Sequence, residues 1–166
     1  MEDDMDVQTP LELATSLLYY INHKDGDRWY EPFSGDGNIY KILPEPKDWA
    51  EIRDGRDFFT YLPFDGHCEH IISNPPFRIS VGNKKINAFI PTLERSMMIA
   101  TKTISFLVNH KILNTLTPTR LQKYHDMGWD ITNITVFSVR KWFGRYWFVV
   151  FSRGETSIIN WDVKNY

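Results

Sequence analysis

The sequence predicts an α/β fold in which short buried strands alternate with helices, and three observations predict it. A strand-like segment, Arg28-Trp29-Tyr30-Glu31, runs into a Gly-x-Gly turn and a helix-forming stretch. A second apolar run, Ile71-Ile72-Ser73, stops abruptly at Asn74-Pro75-Pro76-Phe77. Near the end, two strand-like segments over 129–139 and 147–152 are joined by a connection short enough to make them antiparallel neighbours.

The chain has 166 residues, 42% hydrophobic and 15% aromatic, enough for one domain with a real core. One cysteine, Cys68, leaves no disulfide to form and suits a reducing compartment. The acidic start, Met1-Glu2-Asp3-Asp4-Met5-Asp6, precedes no long apolar run, so neither a secretory signal nor a membrane span is expected. An intracellular protein of cytoplasm or nucleus follows. Charge is divided along the chain. Residues 1–77 hold 6 Lys/Arg against 16 Asp/Glu, and residues 78–166 hold 13 against 5. An acidic half suits a cationic cofactor and a basic half suits a phosphate backbone; alternatively the charges alternate over one folded surface.

Thr9-Pro10-Leu11-Glu12 reads as a helix start, with Thr9 as N-cap, Pro10 at the first helical position and Glu12 closing a capping box. Ala14, Leu17, Leu18 and Ile21 recur at helical spacing until turn residues over 22–26. After the strand at 28–31, Gly35 and Gly37 permit positive φ and close backbone approach, and 38–43 forms a short helix. Pro44-Glu45-Pro46 stops it, and Trp49-Ala50-Glu51-Ile52 reads as the second strand. His67-Cys68-Glu69-His70 has metal-ligating residue types. It sits at the entry to a strand, however, and no second cluster adds ligands, so a structural role without metal is expected. Residues 78–87, with Gly82, Asn83, Lys84 and Lys85, read as a lid, a phosphate-contacting loop or a disordered connector. A helix over 91–100 and a buried strand over 103–108 follow. Thr117-Pro118 opens the last helix, with Leu121 and Tyr124 inward and Gly128 as its C-terminal cap.

The prolines after Asn74 fix φ twice and remove two N–H donors, so the segment holds a shape rather than extending a helix or ladder. It offers one amide side chain, two backbone carbonyls and the aromatic face of Phe77. Those groups suit methylation of an amine whose lone pair is delocalised into a ring, such as N6 of adenine. Asn74 and the Pro75 carbonyl could each accept one N–H bond and draw the nitrogen towards tetrahedral geometry. Phe77 would stack on a base flipped from a duplex or presented by a single strand. A Pro-Pro turn after a buried strand is the alternative.

Asn74-Pro75-Pro76-Phe77 resembles the catalytic motif of S-adenosylmethionine-dependent amino-methyltransferases, in particular those acting on adenine N6. The segment Glu31-Pro32-Phe33-Ser34-Gly35-Asp36-Gly37 resembles the first cofactor-binding motif of the same Rossmann-like family, and the order of the two motifs is the family's. The resemblance implies a compact, three-layer Rossmann-like α/β fold, with a mostly parallel sheet and an antiparallel terminal hairpin. It implies S-adenosylmethionine as cofactor and no metal. Glu31 would face the methionine ammonium, with Pro32, Phe33, Gly35 and Gly37 around it. Thr9 and Pro10 would cover the methionine end, Glu51 would hold the ribose, and Asp57 and Phe58 would clamp the adenine beside Asn74; alternatively Glu51 and Asp57 are solvated loop acids and Phe58 or Phe59 is a core residue. Only five residues separate Glu51 from Asp57, whereas a helical crossover needs about a dozen. The region between strands 2 and 3 is therefore shortened, or replaced by an Asp54-Gly55 turn.

Cations alternate with aromatics at Arg140-Lys141-Trp142-Phe143-Gly144-Arg145-Tyr146, the tip of the terminal hairpin. Arg140, Lys141 and Arg145 could pair with phosphates while Trp142 and Phe143 stack on bases; alternatively the two rings pack into the core or onto a partner subunit. Arg78, Lys84 and Lys85 are further candidate phosphate contacts. Since no insertion is large enough for a target-recognition domain, specificity is expected from residues 78–87, the hairpin tip or another chain, a second subunit or homodimer. DNA is preferred only slightly to RNA as substrate, because the same motif resembles that of RNA methyltransferases, and its relatives occur in enzymes that methylate guanine N2 or protein glutamine. A non-catalytic binding subunit that keeps the fold is the reading from another class.

Overall fold

The computed structural model describes residues 8–140, 142 and 145–164. Its centre is a six-stranded sheet in the order β2-β1-β3-β6-β8-β7. The strands are β1 (Trp29–Glu31), β2 (Lys47–Trp49), β3 (Cys68–Ser73), β6 (Ala100–Asn109), β7 (Trp129–Phe137) and β8 (Tyr146–Arg153). Strands β1, β2, β3 and β6 are parallel; β8 runs against both β6 and β7. A separate hairpin, β4 (Arg78–Val81) with β5 (Lys84–Asn87), stands between β3 and β6 in sequence. The helices are α1 (Leu11–Leu17), α2 (Asn38–Ile42), α3 (Phe89–Ile99) and α4 (Pro118–Asp126).

Successive strand residues face opposite layers, which is why the strands read as near-continuous apolar runs. Trp29, Ile72, Leu107, Phe148 and Val150 pack with Ala14 and Leu17 of α1 and Ile39 of α2. Their neighbours Tyr30, Ile71, Phe106, Val149 and Phe151 pack with Phe89, Leu93 and Met97 of α3 and Tyr124 of α4. Two buried layers thus flank one sheet, the three-layer architecture expected.

Several boundaries differ from expectation. Pro10, not Thr9, occupies the cap of α1, and no side chain caps that end, so the capping box does not form. Beyond Leu17 the helix tightens into a 3-10 turn, Leu18–Tyr20. Helix α3 starts at Phe89 rather than Pro91; a proline in the first turn loses no intrahelical bond. Residues 78–87 form an ordered hairpin rather than an open loop, with Gly82 at φ 58 opening its two-residue turn. Thr117 does cap α4, accepting from Arg120 N at 3.3 Å, and Gly128 (φ 89) follows its end.

The second strand is shifted to Lys47–Trp49, which leaves Glu51 beyond its end. No α-helix and no further strand separates β2 from β3; a 3-10 turn, Ile52–Asp54, and the left-handed Gly55 (φ 78) fill the link. Where another strand would pair with β2, the Arg56 guanidinium lies 4.2 Å over the Trp49 ring and 5.0 Å over Tyr61. Its Nη1 donates to Asp48 Oδ1 at 3.1 Å and to the Trp49 carbonyl at 3.2 Å.

The His67-Cys68-Glu69-His70 residues are engaged separately. Cys68 is buried in one apolar layer, while His70, across a register shift, stacks 4.4 Å from Trp29 of the other. His70 Nε2 lies 2.8 Å from Asp27 Oδ2 and Nδ1 lies 2.7 Å from Thr103 Oγ1, with Lys102 on the other Asp27 oxygen at 2.7 Å. Burial holds the His70 pKa below its ordinary 6.5, although Asp27 pulls the other way. The unfolded chain therefore takes up this proton more readily, so His70 contributes stability that is complete above pH 6.5 and lost as the pH falls through its lower folded value. The urea midpoint is expected to drop between about pH 7 and about pH 5, and less in His70→Asn; identical pH profiles would contradict this role.

Among the described residues no helix is long and apolar enough to cross a membrane.

Candidate active site

Strand β2 lies on one side of β1 and β3 on the other, so the chain changes direction of winding between β1 and β3. In open α/β sheets a crevice forms at the carboxyl ends of the strands at such a point. Glu31 ends β1 and Asn74 immediately follows β3, which brings the two motifs to that crevice.

Glu31 is 2% exposed, and its Oε2 has no hydrogen-bond partner. Burial pushes its carboxyl well above the usual range; the Tyr40 N–H counters this in part and the charge of Glu51 adds to it. A cavity of about 30 Å³ opens beside it, lined by Gln8, Thr9, Glu31, Phe33, Asn38 and Asn74 among others. An unpaired buried carboxylate oxygen in a cavity is a site for a cation or donor.

The loop after β1 is fixed by Ser34 N to the Ala50 carbonyl at 3.0 Å and Gly37 N to the Ser34 carbonyl at 2.7 Å. Gly35 has φ 51, and a Cβ there would stand 2.7 Å from Gln8 Oε1. Gln8 also accepts from Asp36 N at 3.0 Å, so it lies across the glycine loop. No pattern in the sequence marks this residue; only its place just before Thr9 hints at it.

Glu51 reaches the loop from beyond β2. Its Oε2 accepts from Gly35 N at 2.9 Å, and Oε1 accepts from Arg53 N and Nε, each at 3.2 Å. Burial alone would raise its pKa, but these donors outweigh burial and hold it below the ordinary value. Glu51 is thus an ionised brace for the glycine turn.

Asn74 is half-buried, and its Nδ2 donates to Thr9 Oγ1 at 3.3 Å. Thr9, 5% exposed, also accepts at its carbonyl from Asn38 Nδ2 at 2.9 Å. The hydroxyl expected to cap α1 is instead turned to Asn74, and Thr9 links the start of α2 to that residue. Pro75 is buried, Pro76 exposed, and Phe77 half-buried against the α1 and α2 layer. The Phe77 carbonyl accepts from Ala88 N at 3.0 Å, closing the base of the β4-β5 hairpin.

Asp57 is half-buried, with Oδ1 accepting from Phe59 N at 2.9 Å. Phe58 is only 1% exposed, 5.2 Å from both Phe33 and Phe59 and beneath Arg95 at 5.4 Å. The expectation that Phe58 lines a ligand ring is therefore corrected: the ring has no open face, because the shortened link packs it into the core. Half-buried Phe33 lies against it on the loop itself.

Strand β7 runs with β6, so the β7-β8 connection emerges at the same sheet edge as Glu31 and Asn74. The β4-β5 hairpin follows β3 at that edge too. Arg78, Lys84, Lys85, Arg140 and Arg145 are all exposed. Trp142 is half-buried, its ring 4.4 Å from Tyr146, so the packed alternative describes it. Lys141 and Phe143 lie outside the described residues.

No protein-family model matches the chain. No curated protein matches it either. Solved structures do match. A candidate RNA methyltransferase from Pyrococcus horikoshii is 14% identical, with a TM-score of 0.60 over 86% of this chain and 81% of that one. A candidate class I S-adenosylmethionine-dependent methyltransferase from Listeria monocytogenes is 13% identical, with a TM-score of 0.64 over 93% of this chain and 62% of that one, so this chain spans less than two thirds of its length. The magnesium protoporphyrin IX methyltransferase of Synechocystis, solved with bound SAH, is 10% identical, with a TM-score of 0.56 over 86% of this chain and 81% of that one. The fold is that of the class I methyltransferases, a Rossmann-like sheet with an antiparallel end. Relative to the strand order 3-2-1-4-5-6, no strand lies beyond β2 among the described residues, and β8 is inserted antiparallel between β6 and β7.

Proposed function

We propose that this protein transfers a methyl group from S-adenosylmethionine to the exocyclic N6 of adenine in nucleic acid. The observation that carries the reading is the meeting of Glu31 and Asn74 at one crevice, around a shared cavity whose Thr9 bridges cofactor loop and catalytic motif. The residues present fit the cofactor once Gln8 moves off the loop: the unpaired Glu31 oxygen suits its ammonium, and the space over Gly37 is open. When bound, the cofactor supplies an electrophilic methyl group.

The protein positions the acceptor. Asn74 Nδ2 donates to Thr9 Oγ1, an orientation that supports a role for Oδ1 in accepting from the adenine amine together with the Pro75 carbonyl. Those two bonds would localise the nitrogen lone pair for in-line attack; as the N–C bond formed the methyl–sulfur bond would break, its electron pair leaving with S-adenosylhomocysteine, and the amine proton would pass to solvent. Phe77 would stack on the base. Exposed Arg78, Lys84, Lys85, Arg140 and Arg145 at the same sheet edge supply the phosphate contacts.

Transfer of labelled methyl to a matched panel of duplex DNA, single-stranded DNA and RNA, with mass identification of the nucleoside, tests the reaction. N6-methyladenine in any class supports it, and labelling of no nucleoside refutes it. The panel also decides between DNA and RNA, since the fold is shared with a candidate RNA enzyme. Reversing Arg140 and Arg145 to Glu should weaken substrate binding about tenfold or more at moderate salt and flatten its salt dependence; an unchanged slope would remove the phosphate role.

A non-catalytic subunit that positions an active partner is the second reading, favoured by Gln8 lying over the glycine loop and by a cavity of only about 30 Å³. Calorimetric titration with S-adenosylhomocysteine separates the two: an enzyme moves Gln8 aside and binds, whereas that subunit gives no heat.

A further inference from the structure

The hairpin that follows the catalytic tetrad is a distinct element. Ala88 N bonds the Phe77 carbonyl at its base, and its two strands pair only with one another in the sheet topology. The register places Ile79 opposite Ile86 and Val81 opposite Lys84 on one face, with Arg78 opposite Asn87 and Ser80 opposite Lys85 on the other. One face is thus apolar up to its tip lysine, and the other is polar and cationic. Val81 is 56% exposed and Ile86 39% exposed. The ten residues 78–87 contain three cations and no acid. At about 3.3 Å per residue, a four-residue strand carries the tip about 13 Å beyond Phe77.

An apolar face on a cationic arm fits a partner that offers phosphates outside and stacked, apolar ring faces inside. A base-paired nucleic acid offers both, and apolar side chains inserted between base steps unstack them. Resting on the nucleic-acid reading above, we propose that the 78–87 hairpin is a strand-opening arm. Arg78 and Lys85 lie along the phosphate backbone, while Val81 and Ile86 enter between base pairs and release the target adenine to Asn74. No covalent chemistry is involved. The arm lowers the cost of taking a base out of a duplex, a cost that a single strand does not impose.

The test compares wild type with the double variant Val81→Ser, Ile86→Ser on a duplex and on the same target strand alone, reading labelled methyl transfer in single turnover. Transfer to the duplex should fall about tenfold or more in the variant, while transfer to the single strand stays within about twofold. The single-strand rate doubles as the control for folding and cofactor use. Equal losses on both substrates, unchanged duplex transfer, or a wild type that acts on single strands alone would each overturn the arm. A wild type that methylates neither nucleic acid overturns the underlying function and the arm together.

Discussion

Asn74→Ala is expected to lower methyl transfer by a factor of about 10² to 10³ while leaving S-adenosylhomocysteine affinity within about threefold of wild type. The large effect follows from the absence of a competing mechanism at this position. Asparagine is not a base, so in the proposed reaction its contribution would lie wholly in accepting a hydrogen bond that strengthens as the amine nitrogen becomes tetrahedral. Cofactor affinity is spared because Glu31 and the glycine turn stand on β1, braced by Glu51 and Ala50 rather than by Asn74. Rates from single turnovers with saturating cofactor, beside calorimetric titration, check both halves. Persistent transfer would show that Asn74 is not catalytic, and joint loss of transfer and binding would show that it is a cofactor residue.

Affinity for S-adenosylhomocysteine should rise with pH, by up to about tenfold per unit, until the raised pKa of Glu31 is passed. In the free protein burial keeps this carboxyl protonated to higher pH than an ordinary glutamate. A cationic ammonium favours the ionised form, so binding below that pKa expels a proton. The same shift has a cost for the free protein: because the folded pKa lies above 4.5, Glu31 contributes stability below 4.5 that is lost as the pH rises through the folded value. Titrations in buffers of different ionisation enthalpy count the released proton directly. In Glu31→Gln the pH dependence should vanish and binding weaken about tenfold or more, since a neutral amide replaces a charge-assisted bond. A variant that binds as tightly as wild type, with no proton release in either, would remove Glu31 from the cofactor site.

The parts of the fold that could be read from the chain were those in which local chemistry and tertiary role agree. Gly35 and Gly37 need their backbone freedom in any context, and the prolines after Asn74 end a strand wherever they occur. The terminal hairpin followed from its two strand-like segments and their short connection. Disagreement arose where long-range partners changed a residue's task. Thr9-Pro10 looks like a cap and first turn, but the Thr9 hydroxyl meets Asn74, 65 positions away. Phe58 follows an acid as an adenine clamp would, yet with no crossover helix between β2 and β3 it packs beneath Arg95 as a core residue. Residues 78–87 were read by polarity as a loop because their exposed strands lack a buried face, the signal on which strand recognition depends.

The stack of Arg56 over Trp49 and Tyr61 has a bearing beyond local packing. Trimming a sheet by one strand creates a new border, and borders with unpaired amides and carbonyls recruit strands from neighbouring molecules. Here the border strand has three residues, one of its carbonyls is occupied by a guanidinium, and that guanidinium, ion-paired to Asp48, stands in the path of an incoming chain. Protection at that margin is thereby built into the side chains that stand where a further strand would pair. A methyltransferase fold can be shortened on this flank without becoming adhesive, because the residues that close the gap also discourage company.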